Sequence, residues 1–175
     1  FAIDRTTAAW NANDAVSVGT FILNGGTVTT LENASQTTTR TIRNAGTIVG
    51  NGFLAFGLFN PDNTSFVIAS NGTLQVGTVY GTGGPGTWVA TNFGGAAASV
   101  LEFTKDAAIT NGVFFNSNGT VRASNALLIL PSANRENAGT YSLNGGSIQP
   151  GSANGLVAFT NAGTGVIVGN GTIQN

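Results

Sequence analysis

NAGTIVGNGFLAF, residues 44–56, decides how the rest of this chain is read, because a close variant, NAGTGVIVGNGTIQN, returns at residues 161–175. Each copy reads as one turn of a stacked β-structure. It pairs an Asn/Gly corner with a Thr that opens a short aliphatic run, then repeats the device: corner, strand, corner, strand. Glycine supplies the positive φ that a corner needs, and asparagine is the next most tolerant residue. The Thr, Val and Ile that follow are β-branched and favour a pleated, half-buried surface. An Asn inside such a corner can bond its own backbone and, stacked over another Asn, form a ladder between turns.

The device recurs as NGGTV from Asn24, NGTL from Asn71, NGTV from Asn118, NAGTY from Asn137, NGGSI from Asn144 and NGTI from Asn170. The glycines before each Thr or Ser fall at 26, 46, 72, 119, 139, 146, 163 and 171. The larger steps are therefore 20 (26 to 46), 26 (46 to 72), 20 (119 to 139) and 24 (139 to 163). The interval from 72 to 119 is 47, close to two such steps, and TNFGG at residues 91–95 lies where the missing corner is expected. A period in the twenties points to a solenoid in which no single turn buries its own apolar face. Ile48, Leu74, Val121, Ile148 and Ile173 are the expected common core.

Composition limits the alternatives. The 175 residues suit one β domain, 1–175, with residues 1–18 as a cap or arm. Hydrophobic residues make up 41% but charged ones only 7%, against roughly a quarter in an ordinary soluble domain. Solubility then rests on Asn, Thr, Ser and Gly, a bias that places the chain outside the cell or on its surface. No apolar segment is long enough for a membrane-spanning helix. With no Met, residue 1 reads as a processed terminus or the edge of a longer chain.

Between the corners the chain is less regular. Residues 35–42 (SQTTTRTI) put Thr37, Thr39 and Thr41 on one strand face. NPDN at residues 60–63 is a turn, and GTGGPG at residues 81–86 reads as a protruding loop. Residues 96–109 admit a short helix, but Val100, Phe103 and Thr104 favour a strand pair with Glu102, Lys105 and Asp106 as a solvated charge cluster. ALLIL, residues 126–130, reads as a fully buried strand. The final run, GVIVGNGTIQN, is competent to form a strand and has no cap, so Gly165, Val166, Ile167, Val168 and Ile173 are the expected self-assembly contact.

Chemistry is sparse. There is no His and no Cys, which removes thiolate metal sites, cysteine nucleophiles and disulfides together. A hydrolase would have to use paired carboxylates, and Glu102 with Asp106 is the one close pair. Lys105 beside them explains that pair as surface ions. Neither a phosphate loop nor a calcium motif is present, and Arg40 with Arg43 is too little for nucleic acid at a net charge of −1. The chain therefore reads as a non-enzyme without a cofactor. Sequons stand at Asn33, Asn63, Asn71, Asn118 and Asn170, with Asn63 as the most accessible candidate for glycosylation.

The runs NAGTIVGNG, LNGGTV, LNGGSI and VGNGTIQN resemble the coils of filamentous-haemagglutinin-like and autotransporter-type adhesins. The resemblance implies a right-handed parallel β-solenoid, export to the cell surface and a passive role in adhesion or matrix. The uneven period, the GTGGPG loop and residues 96–109 depart from it and keep a jelly-roll or other β-sandwich as the alternative. The expected function is an extracellular structural protein, a surface adhesin or a filament subunit that polymerises end to end and meets a glycan or a host or cell-surface receptor. A polysaccharide-binding or cleaving β-helix of tailspike type is the second reading, with Trp10, Tyr80, Trp88 and Phe93 as stacking platforms. An ice-binding solenoid ranks last, since only residues 27–29 and 37–41 approach a T-x-T row.

Overall fold

A computed structural model describes residues 2–4, 7–10, 14–17, 19–30, 41–60, 63–79, 84–92, 98–131, 136–151 and 160–174. The chain is an all-β parallel solenoid, and no helix occurs among the described residues. Every ladder among the described residues is parallel, which disposes of the jelly-roll and sandwich alternative, since those folds are built from antiparallel strands. Three faces are stacked along the coil axis. The first holds Ala2–Asp4 and residues 20–24, 47–51 and 66–69, then Thr87–Ala90 and Val113–Asn116. The second follows the register Thr7, Thr27, Phe53, Gln75, Glu102, Arg122, Ser142, Val168. The third holds Asp14–Ser17, Thr41–Asn44 and residues 57–59, and further along Ala107–Ala108, Leu127–Leu130 and residues 147–150.

The long strands Thr47–Phe59, Phe66–Val79 and Thr140–Pro150 each run through a corner, where their ladders shift register. Gly50 and Gly52, at φ +131 and +134, flank Asn51 and let the chain change face inside one strand. Gly46 serves a different need. A Cβ there would run into the backbone carbonyl and amide of Gly19 in the preceding coil.

Side chains alternate in and out, so like positions stack into columns. Phe21, Ile48, Val67, Trp88 and Phe114 form one inward column, in register, and all are buried. Leu74, Leu101, Val121 and Tyr141 form another on the second face. Ile48, Leu74, Val121 and Ile148 belong to the continuous core, with Ile173 packed partly against it, as their place after each corner led us to expect. Removing such side chains from water is the main force holding the coils together.

The interval of 47 is resolved by register: Thr73 pairs with Val100 and Val100 with Thr120, steps of 27 and 20. The missing corner lies at Thr91 and Asn92, where Asn92 N–H donates to Asn118 Oδ1 at 2.8 Å and its Nδ2 to the Asn118 carbonyl at 2.8 Å. Residues 96–109 hold the strands Val100–Phe103 and Ala107–Ala108.

Three local expectations need correction. ALLIL is not buried on both sides: Leu128 and Leu130 face in, while Leu127 and Ile129 are half-buried on the outer side. The strands buried on both sides are Thr87–Ala90 and Val100–Phe103. The end of GTGGPG is no protrusion, because Gly84 and Gly86 are buried and Gly86 N–H donates to the Asn60 carbonyl at 2.8 Å; residues 81–83 lie outside the described residues. Finally, the two matching NAGT copies do not occupy the same place in the coil. Thr47 enters the first face, whereas Thr140 and Val166 enter the second.

Candidate functional site

The Asn/Gly corners build the molecule's most regular polar feature. Asn44 Nδ2 donates to Asn60 Oδ1 at 3.0 Å and to the Phe66 carbonyl at 2.8 Å. Asn60 Nδ2 continues to the Thr87 carbonyl at 3.3 Å. On another corner, Asn116 donates to Asn137 and Asn137 to Asn161, at 3.0 and 2.8 Å. Asn44, Asn60, Asn116 and Asn137 are buried, and each bond replaces one to water that burial removes. The ladder expected from stacked Asn residues is therefore present on two corners. It is a structural device with nothing reactive exposed.

The last described strand is Val166–Ile173. Its residues pair with residues 140–148 on one side, and no ladder on the other side exists among the described residues. Val166 N–H donates to the Gly139 carbonyl, and the Asn161 amide holds the Gly165 carbonyl at 2.8 Å. Val166, Ile167 and Val168 are 46%, 39% and 44% exposed. Ile167 continues the inward column of Val121 and Tyr141, so its side chain points where the next coil's core would lie. Gly165 is half-buried. Within residues 1–175 this strand is thus laddered on one side and carries exposed aliphatic side chains.

The carboxylate pair comes apart. Glu102 is buried, its Oε1 accepting from Ser124 Oγ at 2.5 Å and its Oε2 from Gln75 Nε2 at 2.9 Å. Arg122 Nη1 stands 3.7 Å from Oε1, and Asn144 Nδ2 donates to Ser124 Oγ at 3.2 Å. Lys105 and Asp106 are exposed, and Asp106 Oδ1 accepts the Leu127 N–H at 2.8 Å. The solvated cluster read from the sequence is therefore wrong for Glu102, whose partners come from neighbouring coils. Linear spacing hid Gln75 and Arg122, yet the ladder steps of 27 and 20 place them in register with it. Both oxygens of Glu102 are engaged by neutral donors beside one guanidinium, which is how a buried carboxylate is held in place.

Trp88 is no stacking platform: it is fully buried, its ring centroid 5.8 Å from that of Phe103. The side chains of Trp10, Tyr80 and Phe93 lie outside the described residues, as do residues 37–40 and Asn33. Above Thr27 the outer column continues through Phe53, Gln75 and Glu102, so it forms no threonine array. Asn63 is exposed in its turn. Among the described residues no group of acidic side chains is arranged to hold a metal ion, and no helix is long and apolar enough to cross a membrane. Burial pushes the Tyr141 phenol above its ordinary value.

No family model, curated protein or solved structure matches this chain.

Proposed function

We propose that this chain is an extracellular structural protein, a surface adhesin or filament subunit, whose coils associate end to end. The observation that carries the reading is the Val166–Ile173 edge, where three exposed aliphatic side chains lie on a strand laddered on one side. A second copy presenting its own first coil there would continue both the hydrogen-bond ladder and the core columns. Such a contact joins two different surfaces, so it extends into a fibre instead of closing into a ring or dimer. The low charge of the chain, 7% of residues, offers little repulsion against stacking and few ion pairs for salt to screen. The extracellular placement follows from composition, and the adhesin-like role from the resemblance of the corner repeats to adhesin coils. A glycan or a host or cell-surface receptor is the expected partner of the lateral faces.

Catalysis is outside this reading. The closest carboxylate pair in sequence is split between a satisfied buried Glu102 and an Asp106 committed to a backbone amide. Negative-stain electron microscopy of the purified chain tests the proposal: unbranched fibres one coil wide are expected, and they should persist in high salt. Discrete particles at every concentration and ionic strength would count against it.

A further inference from the structure

Asn-Gly pairs occur in this sequence at 24, 51, 71, 111, 118, 144, 154 and 170. In such a pair the glycine's main-chain nitrogen can reach the asparagine side-chain carbonyl carbon, because no Cβ shields the approach. The reaction requires an amide side chain free to turn and a main chain free to follow it.

The structure separates these corners. Asn51 Nδ2 donates to the carbonyls of Ser70 and Asn71 at 3.4 and 3.3 Å. Asn144 Nδ2 is held by Ser124 Oγ, and Asn118 Oδ1 accepts the Asn92 N–H. Asn24 and Asn111 also have partners, and Asn154 lies outside the described residues. Asn71 and Asn170 are exposed and carry no side-chain hydrogen bond among the described residues. Of these two, Asn170 is kept in register opposite Asn144. Asn71 is not so kept: the ladders of its strand run to Ala69 and resume at Thr73 and Leu74, leaving residues 70–72 between registers. Asn71 also stands at φ +57, a strained conformation for a residue with a Cβ.

We propose that Asn71 is a self-modification site, the corner at which this chain first forms a succinimide and deamidates. The Gly72 nitrogen bonds to Asn71 Cγ and gives up its proton, while the bond from Cγ to Nδ2 breaks and Nδ2 leaves as ammonia. Water then opens the ring at one of its two carbonyls, leaving aspartate or isoaspartate. The net change is one water consumed and one ammonia released, with nothing oxidised or reduced. The isoaspartyl form adds a methylene to the main chain and displaces the Asn71 carbonyl that accepts from Asn51. It also sets a carboxylate on a corner that was neutral, so an aged chain loses contact between two adjacent coils there.

The test follows every Asn-Gly peptide by mass spectrometry while the native chain stands in mildly alkaline buffer, with isoaspartate detected by enzymatic methyl transfer. Conversion at Asn71 should outpace Asn51, Asn118 and Asn144 several-fold, and that difference should vanish in denaturant. Asn71→Gly, which suits the local φ, should remove the product and leave the other rates unchanged. Ser124→Ala, which frees Asn144, should raise conversion at Asn144. Equal rates at all corners, a lead by Asn118 or Asn144, or a ranking that survives denaturation would overturn the proposal.

Discussion

Asn137 sits one coil above Asn116, accepting its amide at 3.0 Å and passing the pattern on to Asn161 at 2.8 Å. Each asparagine also donates to a carbonyl of the next coil, Asn116 to Thr140 at 3.2 Å and Asn137 to Val166 at 3.1 Å. The corner is therefore stitched through side chains where the first-face ladder has shrunk to Glu136–Asn137 over Thr160–Asn161.

Asn137→Ala removes two donors and one acceptor from a buried corner, so Asn116 Nδ2 loses one of its two partners. An unsatisfied buried polar group costs about 1–3 kcal/mol. The guanidinium midpoint should fall accordingly with little change in slope. Asn161→Ala should cost less, because Asn161 is exposed.

Gly46→Ala and Gly163→Ala occupy equivalent places in the two NAG(T) copies but should behave differently. A Cβ at 46 collides with the Gly19 backbone, whereas one at 163 meets nothing within 4 Å. Thermal unfolding should show a clear loss for the first and almost none for the second.

Ile148→Asp should be severely destabilising, since Ile148 is fully buried with Leu128 in register beside it and an unpaired charge in an apolar core is among the costliest substitutions. Ile148→Val should cost only about 0.5–1.5 kcal/mol, the usual range for removing one buried methyl. Far-ultraviolet circular dichroism during chemical unfolding separates the two.

The coil repeat and the core were legible because they are local statements. A Thr or Ser after an Asn/Gly corner starts a strand, and the strand's alternation fixes which residue points inward, so Ile48, Leu74, Val121 and Ile148 could be named. The face on which each motif lands was not legible. An Asn ladder needs only an Asn on the adjacent coil and a free carbonyl, and any corner can provide both, so NAGT at 44–47 and at 137–140 enter different faces. Glu102 was misread for the same reason: its neighbours in sequence are Lys105 and Asp106, while its neighbours in space are 27 and 20 residues away. ALLIL looked buried throughout because hydropathy cannot tell an inner from an outer residue when both are aliphatic.

Tyr141 makes the fold sensitive to alkali. Burial raises its phenol above the ordinary 10.0, so the folded chain resists losing that proton more than the unfolded chain does. The associated stability is fully present below the ordinary tyrosine value and declines as pH rises beyond it. Tyr141→Phe should flatten this alkaline limb in a series of melting temperatures.

Glu102→Gln combined with Asp106→Asn should leave adhesion and assembly unchanged, because neither carboxylate has a chemical role in the proposed function. A glycan-cleaving activity of the wild-type chain that disappears in this double variant would restore the tailspike-like reading.

End-to-end association is tested most directly by sedimentation velocity over a wide concentration range, comparing the full chain with a truncation after Gly163 and with Ile167→Lys, which puts a charge in the inward column. The full chain should show fast-sedimenting species that grow with concentration and resist high salt. Both variants should sediment as monomers while keeping their β-type circular dichroism. A full chain that remains monomeric at the highest concentration, or variants that assemble as well as it does, would contradict the role assigned to Val166–Ile173.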